Sequence, residues 1–180
     1  MARALRRAGD GGRAGLTVAT LYLTCGLPGS GKTTLAERLE REARALRLTG
    51  DAWMHDLYPG ISTPEAETGP FRGQVERLQW AVAMRALELG CNVVLDWGVW
   101  SRAERDHFRT QAQAAGAQVV LCLLDPPIEE LWTRLAQRNA DLPPATFEIP
   151  REALLRWADW FERPTDEELA LYDGLEGAGR

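Results

Sequence analysis

A glycine-rich stretch at residues 26–33 has the residue types and spacing that bind phosphate groups. It reads GLPGSGKT and fits the pattern G-x-x-x-x-G-K-[ST] throughout. Its glycines let backbone N–H groups turn inward toward phosphate oxygens, while Lys32 adds a positive charge. Thr33 adds a hydroxyl ligand for Mg²⁺. We therefore assign to nucleotide binding Gly26, Pro28, Gly29, Ser30, Gly31, Lys32, Thr33 and Thr34.

The segments around this loop have the hydrophobic patterns of strands and helices. An apolar, β-branched run at 18–25 precedes the loop, and an amphipathic helical pattern follows it. Further strand-like runs lie at 46–49, 91–96 and 118–124, and the helical patterns lie at 32–45, 72–89, 101–115, 128–139 and 151–161. Buried strands that alternate with helices predict an α/β fold, a three-layer sandwich with a central parallel sheet.

Composition limits the classes of partner. A formal net charge of −5 gives no overall attraction to nucleic acid or to an anionic membrane. No apolar run approaches the ~20 residues that span a bilayer, and residues 1–17 lack the apolar core of a secretory signal. The 3 cysteines are odd in number, lie in separate apolar runs and have no metal-binding spacing, so we interpret them as small apolar residues in a reducing cytoplasm. We expect a disordered leader at 1–17, one folded domain at 18–165, and a frayed acidic tail at 166–180.

Several segments, in their order along the chain, resemble the small P-loop kinases. They are the loop itself, residues 51–54 after the second strand-like run, residues 93–98 and 101–106, and residues 131–139. The nearest groups contain polynucleotide 5′-hydroxyl kinase, zeta toxin and chloramphenicol phosphotransferase. The resemblance implies a P-loop NTPase fold of nucleoside-kinase type, with ATP and Mg²⁺ as cofactors. It also implies phosphoryl transfer to a hydroxyl and a small lid at about 138–150.

The resemblance assigns a catalytic role to Asp51. In these kinases an aspartate at this place accepts the proton of the attacking hydroxyl, and a carboxylate beside the phosphate loop can orient that hydroxyl. The alternative is an N-cap of the helix that follows. Asp96 ends an apolar strand, where a Mg²⁺-coordinating carboxylate belongs, directly or through water. The alternatives for Asp96 are a structural acid or a substrate-binding one.

Arg134 and Arg138 lie four residues apart and so share one helix face. By resemblance, Arg134 flanks the adenine or the phosphates, and Arg138 neutralises charge on the transferred group as a catalytic residue beside Lys32 and Asp51. The alternative is a solvated face that pairs with Glu129 and Glu130.

Three tryptophans follow strand ends, on the edge where open parallel sheets bind ligands. We therefore predict a substrate-binding surface formed by Trp53, Trp97 and Trp100, with Asp51. Arg102 and Arg105 are further candidates for phosphate or substrate contact. Where the resemblance to polynucleotide kinases calls for an arginine, this chain has Met54. This difference and the acidic balance favour a small-molecule hydroxyl acceptor over nucleic acid.

We therefore expect an ATP-dependent kinase acting on a small-molecule hydroxyl. Three alternatives remain open at this stage. The first is a polynucleotide or nucleotide 5′-hydroxyl kinase, and the second is a toxin-like nucleotide-sugar kinase. The third is an ATP-binding regulatory module with little transfer activity.

Overall fold

A five-stranded parallel sheet forms the centre of the computed structural model, which describes residues 18–58, 69–143 and 146–177. The strands are β1 (Thr20–Cys25), β2 (Leu46–Thr49), β3 (Val93–Asp96), β4 (Gln118–Leu123) and β5 (Gly174–Glu176). Their order across the sheet is β2-β3-β1-β4-β5, and each neighbouring pair is parallel. The expected parallel α/β fold is confirmed.

Helices cover both faces of this sheet. They are α1 (Lys32–Glu42), α2 (Gly50–Leu57), α3 (Pro70–Glu88), α4 (Arg102–Ala114), α5 (Ile128–Ala140), α6 (Arg151–Trp160) and α7 (Asp166–Leu169). On one face, α1 packs Leu35 and Leu39 against Val94 of β3. On the other face, α3 to α6 enclose alternate residues of the strands, among them Leu23 and Leu95. Strands buried on both faces explain their nearly continuous apolar sequences.

The register of the sheet brings three strand ends to one edge. Leu23 of β1 lies beside Leu95 of β3 and Leu121 of β4, and Thr49 of β2 lies beside Asp96 of β3. Because the strands are parallel, the loops after β1, β2 and β3 all leave from this edge. Ligands bind at the carboxyl ends of strands in such open sheets.

The segment after α6 differs from its expected fraying. It forms α7 and then β5, which pairs with β4 so that Gly174 lies beside Val120. Glu168 of α7 is only 2% exposed. The expectation of a frayed tail is therefore wrong as far as residue 177. The predicted leader, residues 1–17, lies outside the described residues, as do residues 144 and 145 of the predicted lid.

Candidate nucleotide and acceptor site

The phosphate-binding loop runs between β1 and α1 and is shaped by its glycines. Gly26 has a φ of 152°, and a Cβ there would lie 2.3 Å from the backbone oxygen of Leu124. Gly31, with a φ of 97°, is the N-cap of α1. The ammonium of Lys32 donates to the backbone oxygen of Leu27 at 2.9 Å, folding the side chain over the loop. The loop thus presents a helix N-terminus and a cation together, which favours a bound anion.

Asp96 lies next to Thr33, the last residue of this loop. The hydroxyl of Thr33 donates to its Oδ1 at 3.3 Å, and the hydroxyl of Thr49 donates to its Oδ2 at 3.2 Å. Asp96 is 6% exposed. Burial raises the pKa of its carboxyl, and the nearby Lys32 ammonium opposes that rise. The pairing of a P-loop hydroxyl with a strand-end carboxylate is the arrangement that P-loop NTPases use for Mg²⁺.

The residues present fit a Mg²⁺ ion that is held mainly by a nucleotide. Within the described residues, no group of three or more His, Cys, Asp or Glu side chains could hold a metal ion. A site with one carboxylate and one hydroxyl suits Mg²⁺, which keeps several waters and takes further ligands from substrate phosphates.

Asp51 lies in the first turn of α2 and is bound by a buried arginine. Nη1 of Arg72, near the start of α3, donates to Oδ1 of Asp51 at 2.5 Å, and its Nε donates to Glu76 at 2.7 Å. Arg72 is 8% exposed and its guanidinium lies against the backbone at Gly50. The Asp51 side chain stays 44% exposed. Asp51 is therefore fixed from one side and open to the cavity. The N-cap of α2 is Thr49, so capping is not the reason for an aspartate at position 51.

The ionisation of Glu76, which binds Arg72, makes the free energy of unfolding depend on pH. Burial raises the pKa of the Glu76 carboxyl, the Arg72 guanidinium opposes the shift, and the Glu104 and Asp51 carboxylates add to it. A raised acid pKa means that the folded state binds the proton more tightly than the unfolded state. The contribution of Glu76 to the free energy of unfolding is therefore complete below pH 4.5, the ordinary value, and is lost as pH rises through the folded value.

We expect Glu76→Gln to become progressively more stable, relative to wild type, as pH rises from 4.5 toward neutrality, because it lacks this ionisation. The glutamine can still accept the hydrogen bond from Arg72. Thermal unfolding of both proteins across this pH range measures the difference, with Glu88→Gln on the exposed side of the same helix as the matched control. A difference that does not change with pH contradicts the expectation.

The loop after β3 forms one side of the cavity, and we name residues 97–100 the acceptor wall. The indole N–H of Trp100 donates to the backbone oxygen of Gly26 at 3.1 Å, and its ring lies 5.6 Å from that of Trp157. The indole of Trp97, although in the wall, is 2% exposed and donates to Gln79 at 2.8 Å in the core. Of these two tryptophans, Trp100 therefore has the more accessible indole.

The two arginines of α5, Arg134 and Arg138, also line this cavity. Nη1 of Arg134 donates to the backbone oxygen of Gly29 at 3.4 Å, and its Nη2 forms an ion pair with Glu130. Nη2 of Arg138 donates to the backbone oxygen of Phe147 at 3.2 Å. Arg134 thus reaches the phosphate-binding loop, and Arg138 reaches the segment between α5 and α6.

One cavity of about 1010 Å³ connects these groups. Of the residues selected from the sequence, it is lined by Pro28, Gly29, Gly31, Lys32, Thr33, Thr34, Asp51, Asp96, Trp97, Trp100, Arg134 and Arg138. Gly26 and Ser30 belong to the loop but are not among the lining residues, and neither are Trp53, Arg102 and Arg105. Trp53 packs on the core, and Arg102 forms an ion pair with Asp106 at 2.6 Å.

Four charged residues of the cavity were not selected from the sequence, namely Glu37 of α1 together with Arg72, Glu76 and Glu104. The i,i+4 spacing of Arg72 and Glu76 is visible in the sequence, but it is typical of any solvated helix face. Glu104 follows Ser101 by three residues, the spacing of a helix-capping box, and the two residues form that box at the start of α4. The positions of Arg72, Glu76 and Glu104 in the cavity depend on how α3 and α4 pack on the sheet.

The sheet order, together with a phosphate-binding loop after β1, defines a P-loop fold of kinase type. Residues 21–164 match the model of a family described as an AAA domain, AAA_33, and the chain belongs to this family of P-loop kinase domains. The resemblance stated from the sequence is confirmed. Nucleotide binding is the property that the loop and the family support directly.

Solved structures with the same fold include proteins of several kinds. Kti12 from Chaetomium thermophilum, in complex with ADP-AlF3, is 18% identical over 88% of each chain, with a TM-score of 0.65. A gluconokinase from Sinorhizobium meliloti is 18% identical over 89% of this chain and 82% of that chain, with a TM-score of 0.59. A chain of the Pnkp1/Rnl/Hen1 RNA repair complex is 21% identical over 79% of this chain and 44% of that chain, with a TM-score of 0.66.

No curated protein gives a significant sequence match. No helix within the described ranges is long and apolar enough to cross a bilayer.

Proposed function

We propose that this protein transfers the γ-phosphoryl group of ATP to a hydroxyl group of a small molecule. The observation that carries the proposal is a single cavity that joins the phosphate-binding loop to the open carboxylate of Asp51. A nucleotide-binding site alone would serve a GTPase or a motor equally well. A fixed carboxylate beside that site is what a hydroxyl acceptor requires.

Bound Mg·ATP would supply the phosphoryl group, with Thr33 and Asp96 on the metal side. Lys32 and the loop amides hold the phosphates, and Arg134 adds charge beside Gly29. Arg138 would stabilise charge that develops on the transferred group.

Asp51 accepts a hydrogen bond from the acceptor hydroxyl and takes its proton as the new P–O bond forms and the bond from the γ-phosphorus to the departing ADP breaks. The ion pair with Arg72 fixes the direction of the Asp51 carboxylate. That fixed direction suits phosphoryl transfer, whose loose transition state depends more on positioning than on early proton removal.

The charge of the cavity supports a small acceptor over nucleic acid. Its acceptor end, formed by Asp51, Arg72, Glu76, Trp100 and Glu104, contains three carboxylates and one guanidinium. That guanidinium is already engaged by two of the carboxylates. A polynucleotide backbone needs several phosphate-binding cations, whereas the described residues named at this end include one cation, Arg72.

The test is ADP release from Mg·ATP in the presence of separate candidate acceptors. The panel contains sugars, nucleosides, small alcohols, a nucleotide sugar and a 5′-hydroxyl oligonucleotide. We expect ADP release to rise with at least one uncharged small hydroxyl compound and not with the oligonucleotide. Stimulation by the oligonucleotide, with a steep dependence on salt, would instead support a polynucleotide kinase. ATP binding without stimulation by any acceptor would support a regulatory module.

A further inference from the structure

Arg105 of α4 and Glu168 of α7 form a buried ion pair outside the cavity. Nε of Arg105 donates to Oε1 of Glu168 at 2.6 Å, and Nη2 donates to Oε2 at 3.0 Å. The two side chains are 0% and 2% exposed. A two-bonded pair of this kind fixes the plane of the guanidinium group. Burying two charges is costly, and an apolar pair of similar volume often gives equal or greater stability. Stability alone therefore does not explain this pair.

The third nitrogen of the guanidinium points to the acceptor wall. Nη1 of Arg105 donates to the backbone oxygen of Val99 at 3.2 Å and to that of Trp100 at 2.9 Å. Val99 has a φ of 33°, a left-handed conformation that is unfavourable for a β-branched residue. The surrounding structure must hold such a conformation in place. Arg105 supplies two of the hydrogen bonds that do so, and the backbone N–H of Glu162 supplies another to Trp100 at 3.0 Å.

The wall in turn contacts the phosphate-binding loop. The backbone N–H of Gly26 donates to the oxygen of Gly98 at 3.1 Å, and the Trp100 indole donates back to the oxygen of Gly26. A displacement of residues 98–100 would therefore change the acceptor side of the cavity next to the site of the phosphates. α7, which supplies Glu168, lies in the segment whose sequence predicted only a frayed tail.

We propose that Arg105 and Glu168 are positioning residues, which hold the acceptor wall so that the acceptor hydroxyl lies in line with the phosphate to be transferred. The proposal rests on the proposed function, because that function makes residues 97–100 a substrate surface. Neither residue lines the cavity, so neither is assigned a contact with substrate.

Two variants separate this role from simple stabilisation. Arg105→Lys keeps a cation beside Glu168 but loses the planar fork that reaches both wall carbonyls. The double variant Arg105→Met, Glu168→Leu removes the charges together and leaves no unpaired buried ion. The matched control is Arg109→Met, one turn further along α4. Arg109 pairs with Asp106 at 2.7 Å and with Gln113 at 3.1 Å, and both of these partners lie in α4, away from the wall.

Hydrogen exchange measured by mass spectrometry reports on the wall without any acceptor. We expect faster exchange in peptides that cover residues 97–103 in both test variants, with peptides of α1 and β4 unchanged. Binding of a fluorescent ATP analogue should stay within about twofold of wild type, because the phosphate-binding residues are intact. Arg109→Met should change neither property. Unchanged exchange of the wall in Arg105→Lys overturns the proposal even if the double variant fails to fold.

The kinetic test uses whichever acceptor the panel identifies. We expect kcat/KM for that acceptor to fall about 10- to 100-fold in Arg105→Lys, because small displacements of reacting groups cost that much. KM for ATP should change little, and kcat is normalised to the concentration of ATP-binding sites, because a general loss of folded protein lowers the apparent kcat without changing KM. A mobile wall with unchanged acceptor kinetics overturns the positioning role. If no acceptor reacts with wild type, the proposed function fails, while the exchange data still decide whether the ion pair holds the wall.

Discussion

Replacing Lys32 with alanine is expected to reduce kcat/KM for ATP about 100- to 1,000-fold, the usual cost of removing one charged donor from a transferring phosphoryl group. The Lys32 ammonium lies over the loop and donates to Leu27. Its hydrogens are thus close to the place where the outer phosphates must lie. Lys32→Arg should also lose most activity, because a planar guanidinium does not replace a compact ammonium inside a closed loop. Steady-state ADP release over a range of ATP concentrations measures both effects.

Arg41→Ala is the matched control for charge, since it removes an exposed cation from the same helix. It should retain wild-type kinetics and a wild-type melting temperature. If Lys32→Ala and Arg41→Ala behave alike in ATP binding and turnover, the loop does not act as a nucleotide site.

Replacing Asp51 with asparagine is expected to lower kcat about 100- to 10,000-fold, the range for loss of a positioned general base. ATP binding should be retained, because Asp51 lies beside the phosphate loop and not within it. The asparagine oxygen can still accept a hydrogen bond from Arg72, so the variant should fold normally. Acceptor-dependent ADP release gives kcat, and equilibrium binding of a fluorescent ATP analogue gives the affinity.

Asp56→Asn serves as the control, because Asp56 is an exposed acid on the same short helix. It should leave both quantities unchanged. Full acceptor-dependent turnover in Asp51→Asn would show that another group receives the proton, and the assignment of the base would then be wrong.

Much of the fold follows from local sequence signals. Apolar runs that end at Cys25, Thr49, Asp96 and Leu123 are long enough and regular enough to identify the four longest strands. The position of Asp96 at the end of such a run was sufficient to place it at the ligand-binding edge. The capping box at Ser101 likewise marked the start of α4.

Other features depend on tertiary packing that local patterns do not contain. β5 has the sequence GLE, which has no strand-like pattern, and it is a strand because β4 offers it an open edge. Arg72 and Asp51 meet because α3 packs beside α2, although the two residues lie 21 positions apart in the chain. Trp97 and Trp100 both follow β3, yet one indole enters the core and the other lines the cavity. The turn between them includes the positive φ of Val99, which its residue type does not predict.

The ion pair of Arg105 with Glu168 illustrates the same limit. The two residues lie far apart in the chain, and the sequence analysis named Arg105 as a candidate for phosphate or substrate contact and put Glu168 in a frayed tail. Only the return of the chain after α6 brings the carboxylate to the guanidinium. A buried pair of this kind has no local sequence signature, because each member alone is typical of a solvated surface.

The fate of the γ-phosphate of ATP tests the proposed function most directly. γ-Labelled Mg·ATP is incubated with the protein and a mixture of small hydroxyl compounds and a 5′-hydroxyl oligonucleotide, and the products are separated. We expect the label on a small molecule in the wild-type reaction and in Asp56→Asn, with almost none transferred by Asp51→Asn. Label found only on the oligonucleotide, or only as free phosphate in equal amounts from all three proteins, would contradict a small-molecule kinase that acts through Asp51.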